Sequence, residues 1–306
     1  MSEAFDSFEK VRALLQDEEA CARVLYEAKW PNGFRCPSCG HDHAYPIATR
    51  RLPLYECSRC SKQTSLIVGT VFQGTRTPLH LWFQAIWLHS RPGSINALQL
   101  SKEIHVTYKT AWLICHKLRH AMSGADADEL LTGAVRLTDA CIYHRVSSNM
   151  KWHRQEQSVL IGATDGENGE PENVKIKKQD KSLLRHRLEA PGTSSFIIQH
   201  VAPEARMSIN FVRQYSRERH HALLKIGREV EKWLAELFRG IGPKHFQAYL
   251  NHYCYDWNRR KTSRFGDLLR WCAATRTITY PVLTKRPSKA RSGRRPRSAT
   301  AIKAVG

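Results

Sequence analysis

Two Cys-x-x-Cys pairs, Cys36-Pro37-Ser38-Cys39 and Cys57-Ser58-Arg59-Cys60, stand seventeen residues apart and constrain this chain more than any other feature. Each pair can wrap a tight knuckle around one ion, and the gap lets two knuckles close a tetrahedral thiolate cage. The spacing therefore predicts a structural Zn²⁺ held by Cys36, Cys39, Cys57 and Cys60. Free or redox-active thiols are the alternative, and paired knuckles at this distance speak against it. His41 and His43 read as polar loop residues, because four thiolates already fill such a site. From Phe34 to about Thr70 no long helical period exists, and short β-prone runs such as Ser65-Leu66-Ile67-Val68 surround the cysteines. A stretch this small does not fold on apolar burial alone. Nine cysteines, an odd number, in a chain without an export signal point to a reducing compartment.

The 306 residues carry 48 Lys and Arg against 28 Asp and Glu, a formal net charge of +20. A field of that sign and size points to a polyanion, and nucleic acid is the default partner. The load is uneven. Residues 1–30 hold seven acids and four bases, while Thr284 to Gly306 hold eight bases and no acid. A hydrophobic content of 42% excludes disorder for the bulk of the chain. No window approaches the roughly 18 apolar residues of a membrane span, and the acidic N-terminus lacks a secretory apolar core. The expectation is a cytoplasmic protein with no membrane partner.

Hydrophobic periodicity divides the chain into N-terminal helices over 1–33, the zinc ribbon over 34–75, a helical region over 76–123, an α/β region over 130–262 and a basic tail over 263–306. Two short helices are expected between residues 7 and 30, the second from Glu18. Gly124 to Asp128 reads as a linker. Short β-type runs follow at Val135 to Ile142, Val159 to Ala163, Val174 to Lys177 and Ser195 to Ile198, then two helices at Ala222 to Phe238 and Pro243 to Trp257. Within the helical region, Ala97 to Ile104 forms one helix, His105-Val106 a turn, and Thr107 the N-cap of a second. Ala111, Ile114, Leu118 and Ala121 share one face of that second helix. Lys109, Trp112 and His116 share another and are the side chains a recognition helix would offer to a major groove. Two packed helices of an all-α linker are the alternative; the basic balance favours a helix-turn-helix.

At this point the chain resembles a known family, the bacterial insertion-sequence transposases that join a zinc ribbon to a DDE-type domain of RNase H-like fold. The resemblance runs from about Glu18 to Lys261. It rests on Trp30-Pro31-Asn32-Gly33-Phe34-Arg35-Cys36-Pro37, Gly69-Thr70-Val71-Phe72, Tyr108-Lys109-Thr110-Ala111-Trp112, Val230 to Leu234, Pro243 to Leu250 and Asn258-Arg259-Arg260. The fold class it implies is multidomain α/β: N-terminal helices and zinc ribbon, helix-turn-helix, then an RNase H-like α/β domain. It also implies double-stranded element ends as partner, a nucleoid-associated location and DNA contacts by Arg259 and Arg260. Arg294 and Arg295 of the tail join them on charge grounds. A homo-oligomer is left open.

The family reaction implies three carboxylates holding two divalent ions, Mg²⁺ or Mn²⁺, because two dications roughly 4 Å apart need several anionic oxygen ligands. The matching positions here are largely degenerate. Thr138 stands where the first-strand acid is expected, His200 is the best match after the strand Ser195 to Ile198, and Glu229 falls on the third position. Asp139 is a substitute only if a bulge turns it, since strand side chains alternate. Glu229 also reads as a solvated helix acid beside Arg228 or Lys232, and Asp165 as a turn residue. The implied function is transposase-like binding of element ends with strand cleavage and transfer lost or impaired. The alternative is a catalytically silent DNA-binding regulator or accessory protein.

Overall fold

The first helix, α1 (Glu18–Lys29), starts where the Asp17 carboxylate accepts from the amides of Glu19 and Ala20, both at 3.0 Å, and Lys29 closes its last turn. These groups complement the helix dipole at each end. A computed structural model describes residues 15–146, 149–166 and 168–285; the helix expected ahead of Gln16, with the tail residues Arg294 and Arg295, lies outside the described residues. The apolar stripe of α1 (Cys21, Ala22, Leu25, Ala28) is buried. A three-stranded antiparallel sheet follows, β1 (Ala44–Ile47), β2 (Leu54–Cys57) and β3 (Gln63–Ser65). Lys29 fastens α1 to its exit, donating from Nζ to the carbonyls of Ser65, Leu66 and Val68 at 3.2, 2.9 and 2.7 Å.

Three helices come next, α2 (Leu79–Ser90), α3 (Ala97–Glu103) and α4 (Tyr108–Asp128). Pro78 offers α2 no side-chain cap, and the α1 residue Glu18 supplies one, accepting from the amides of Leu79 (2.9 Å) and His80 (3.0 Å). Asn96 and Gln99 form a reciprocal capping box on α3. Thr107 caps α4 as the spacing implies, and His105 turns the chain with φ 53°. The expected linker at Gly124 to Asp128 is instead the last turn and a half of α4. Gly124 is there because α4 runs close to a later segment: a Cβ at this position would meet Thr275 Oγ1 at 3.3 Å.

The larger sheet has the order β6-β5-β4-β7. Strands β4 (Val135–Ile142), β5 (Gln157–Asp165) and β6 (Pro171–Lys178) are antiparallel, and β7 (Ile209–Phe211) runs parallel to β4. Helices α6 (His221–Phe238) and α7 (Phe246–Asn258) cover the face carrying Ala140, Ile142, Ile161 and Ile176. The opposite face buries Val135, Leu137 and Leu160 under the short helix α5 (Ser194–His200).

That helix replaces the strand expected at Ser195 to Ile198. Phe196 is buried on the sheet while Ile198 is exposed, a helical rather than an alternating pattern. The seat is cut by Gly162, where a Cβ would lie 2.7 Å from the Phe196 ring. A second departure is α8 (Arg264–Ala274), in the span expected to be basic tail. Its Phe265, Leu268, Leu269, Cys272 and Ala273 recur at helical spacing and are buried in the core of α1 to α4. The chain thus returns to complete its own N-terminal half, and the five-residue α9 (Tyr280–Thr284) ends the described residues.

Candidate functional site

The four cysteines meet as expected. Cys36 Sγ lies 3.6 Å from Cys60 Sγ, Cys39 Sγ 3.6 Å from Cys57 Sγ, and all four sulfurs fall within 4.8 Å of one another. Zinc–sulfur bonds of about 2.3 Å in a tetrahedron require sulfurs about 3.8 Å apart, so the cage fits structural Zn²⁺. Backbone turns prepare it: Gly40 N–H donates to Cys36 O and Ser61 N–H to Cys57 O, each at 2.9 Å. Tyr26, Trp30, Phe34 and Tyr55 pack beside it with centroid separations of 5.0 to 6.1 Å. Those contacts give Trp30 and Phe34 of the motif a structural job. Gly69-Thr70-Val71-Phe72 has one too, since Val71 O accepts from Lys117 Nζ (2.9 Å) and Thr277 Oγ1 (3.1 Å), and Val71 N–H donates to Cys272 O.

The residues expected on the groove face of α4 do not share one fate. Lys109 is exposed, its ammonium 4.6 Å from the Tyr280 ring centroid. Trp112 is half-buried against His116, His245 and Tyr280. His116 is buried, packed on His245 and Tyr249, and burial, followed by the charges of Arg119, His245 and Lys244, pushes its pKa down to about 3. The ring thus lies in the seam between the two halves of the molecule, packed away from the surface on which Lys109 stands. One turn on, the buried Arg119 stacks 4.1 Å from the Tyr249 centroid.

Arg259, expected to contact DNA, likewise lies inside the protein. It is buried, ion-paired with Asp267 and Glu129, and stacked on Tyr255. Arg260 spends its guanidinium on the carbonyls of Pro171, Glu172 and Trp257 at 3.1, 3.0 and 2.9 Å. Asn258 pairs its amide with both backbone groups of Val174 (2.8 and 3.2 Å). Three turns earlier, Gln247 donates to Ile176 O (3.0 Å) and accepts from Lys178 N–H (2.7 Å). Both motifs on α7 therefore hold the outer edge of β6.

The three positions expected to carry acids do not converge. Thr138 is buried on the α6 side of the sheet, opposite Ile161, its hydroxyl 3.3 Å from Asp139 O. No bulge interrupts β4, so Asp139 faces the other way beside Leu160, and its carboxylate accepts from Gln214 N–H (2.8 Å) and Nε2 (3.2 Å). Glu229 turns to α7, where it accepts from the Tyr253 hydroxyl at 3.4 Å. His200 ends α5, its ring against Phe196; burial, then Lys177 and Lys175, lowers its pKa to about 4. The strand alongside β4 is β7, so the residue that follows it and faces Asp139 is Gln214, an amide that sequence reasoning missed. Asp165 closes β5 in an ion pair with Arg136 at 2.5 Å. A cavity of about 520 Å³ opens where β4 runs past the end of β7, lined among others by Cys141, Gln214, Tyr215, Arg219, Arg228 and Glu231. Glu231 is its one lining carboxylate.

Residues 16–63 match the model of the transposase zinc-ribbon domain. That stretch is similar to a transposase zinc ribbon. It is also 32% identical over 96 residues to an uncharacterised protein in transposable element ISH50 of Halobacterium salinarum, covering 31% of this chain and 32% of that protein. The chain thus spans about a third of the length of the curated relative it matches. No solved structure matches it. The transposase ribbon and the mobile-element relative together place the similarity with insertion-sequence transposases. Among the described residues no helix is long and apolar enough to cross a membrane.

Proposed function

We propose that the protein binds double-stranded ends of an insertion element as a transposase relative, and that strand cleavage and transfer are lost, leaving a DNA-binding regulator or accessory protein. The ribbon match and the net charge of +20 support DNA as partner. A mixed sheet with helices on both faces is compatible with the RNase H-like reading. The helix-turn-helix reading draws support from α3, the His105 turn and the capped α4, with Lys109 as the surviving surface contact.

The observation that carries the loss of catalysis is the dispersal of the acids. Glu229 is held on α7, Thr138 is a buried hydroxyl, and Asp139 is engaged by an amide on the reverse face. Among the described residues, only the four cysteines form a group of three or more such donors close enough to share an ion. Mg²⁺ or Mn²⁺ would need several oxygen ligands in one place. Glu231 alone does not provide them.

The test is binding and nicking measured side by side. Labelled element-end duplex is expected to bind more tightly than scrambled duplex, with no nicked product in Mg²⁺ or Mn²⁺. Deleting residues 284–306 removes eight positive charges and is expected to weaken both duplexes and flatten the dependence of log affinity on log salt. Metal-dependent nicking that vanishes in Glu231→Gln or Glu229→Ala protein overturns the reading.

A further inference from the structure

The 520 Å³ cavity beside β4 does not end at Glu231. That residue also lines a second cavity of about 940 Å³ between Tyr143 to Arg145, His153 to Gln155 and the turn Arg239 to Pro243. Arg154, Gln157 and Pro243 in turn line a third, of about 730 Å³, with Trp152, Lys178 and Lys181. The shared walls make one trough from the open edge of β4, past the C-terminal end of α6, to the end of β6.

Its chemistry is one-sided. Arg219 and Arg228 stand in the first section, Arg239 and Arg154 in the second, all exposed. Among the described residues none of the four has a carboxylate within ion-pair distance, although Asp and Glu elsewhere pair with Arg136, Arg187, Arg259, Arg264 and Arg270. Only Glu231 and, at the far end, Asp180 oppose them. Tyrosine and tryptophan side chains line the same channel: half-buried Tyr143, Tyr215, 52% exposed, and half-buried Trp152, whose indole N–H is buried without a partner among the described residues.

We propose that this trough binds a single strand of nucleic acid without divalent ions, the arginines tracking phosphates and Tyr215 and Trp152 stacking bases. A cationic groove interleaved with aromatics is the recognition logic of single strands, whose unpaired bases have free faces to stack. The cations here line the walls formed by α6, residues 143–146 and 149–157 and the strand edge, within reach of the phosphates of a flexible strand. The proposal rests on the nucleic-acid reading above but uses residues that duplex-end recognition does not need.

The experiment titrates the full-length protein with a fluorescent oligodeoxythymidylate in EDTA, with a duplex of equal length in parallel. Wild type is expected to bind the single strand, and R219A/R239A to bind it at least tenfold more weakly. The double variant should also lower the slope of log affinity against log salt by about 1.4, the loss of two phosphate contacts. Tyr215→Ala should weaken the single strand several-fold and leave the duplex unchanged. Glu231→Gln removes the central negative charge and should tighten single-strand binding, a gain that a folding defect does not produce. Single-strand affinity unchanged in R219A/R239A, or weakened by Glu231→Gln, overturns the trough. Failure of element-end duplex binding with these effects intact overturns the proposed function and leaves the trough standing.

Discussion

The zinc ribbon and the β4 cavity are both places where sequence places chemistry, yet the first assembles and the second disperses. In the ribbon, each pair of ligands is three residues apart and the two pairs are joined by one short antiparallel ladder, so local geometry suffices to bring four sulfurs within 4.8 Å. In the larger sheet, the expected acids lie on β4, α5 and α6, and their meeting depends on strand parity and on how each helix rotates. Thr138 against Asp139 shows the parity problem, since one residue decides the face. Glu229 against Glu231 shows the rotation problem: two residues apart on α6, one reaches Tyr253 and the other the cavity.

The largest effect that tests this contrast is metal removal. Structural zinc in small domains contributes on the order of 10 kcal/mol, so chelation, or Cys36→Ser, is expected to release zinc and unfold residues 34–75. Near-UV circular dichroism and elemental analysis of the same sample would show it, and a ribbon that keeps its signal without metal would break the comparison.

Restoring an acid to the strand should fail in the opposite way. Thr138 is fully buried, and taking a carboxylate out of water there is expected to make Thr138→Asp cost about 3 kcal/mol. No Mg²⁺-dependent nicking should accompany it. Denaturant unfolding gives the cost, and nicking by this variant alone would show that the dispersed acids still cooperate.

The seam between the two regions has its own signature in pH. His89, His116 and His252 are buried, and burial ahead of the Arg119 charge lowers all three, His89 and His116 to about 3. The folded state keeps them neutral while the unfolded chain takes up protons below about 6.5, so stability is fully present above that pH and falls as pH drops towards 3. Each contributes about 1.4 kcal/mol per pH unit. Asp256, raised by burial to about 7, acts in the opposite sense with the weight of one group. Melting temperature is therefore expected to fall between pH 6.5 and 4.5, and His89→Gln should flatten the curve.

The smallest effect concerns the edge of β6. Asn258→Ala removes two hydrogen bonds to Val174 and is expected to cost about 1 to 2 kcal/mol, with the ribbon unaffected. A matching loss of zinc affinity would show that the two regions are not energetically separate.

Much of this arrangement was legible in the amino-acid order. The zinc cage, β4 to the residue, the start of α1 and the cap at Thr107 all follow from local spacing and local caps. What escaped depends on distant partners. Ser195 to Ile198 reads as a strand from Phe196-Ile197-Ile198, and the helix there is favoured by the recess at Gly162, 34 residues before Phe196. The groove face of α4 reads as solvent-exposed because nothing near it reveals His245 and Tyr249. In contrast, α8 was readable: its apolar residues recur at helical steps, and the charge of the following tail obscured them. Arg259 likewise carried a visible signal in Tyr255, one turn earlier.

The paired amides of Gln247 and Asn258 have a consequence beyond fastening α7. They occupy the amide and carbonyl of Val174, the carbonyl of Ile176 and the amide of Lys178 on the outward side of β6, groups that another strand would otherwise pair. The opposite border, β7, is three residues long. Addition of a strand by a neighbouring copy is therefore disfavoured along β6, whereas β4 past Leu137 keeps an open edge.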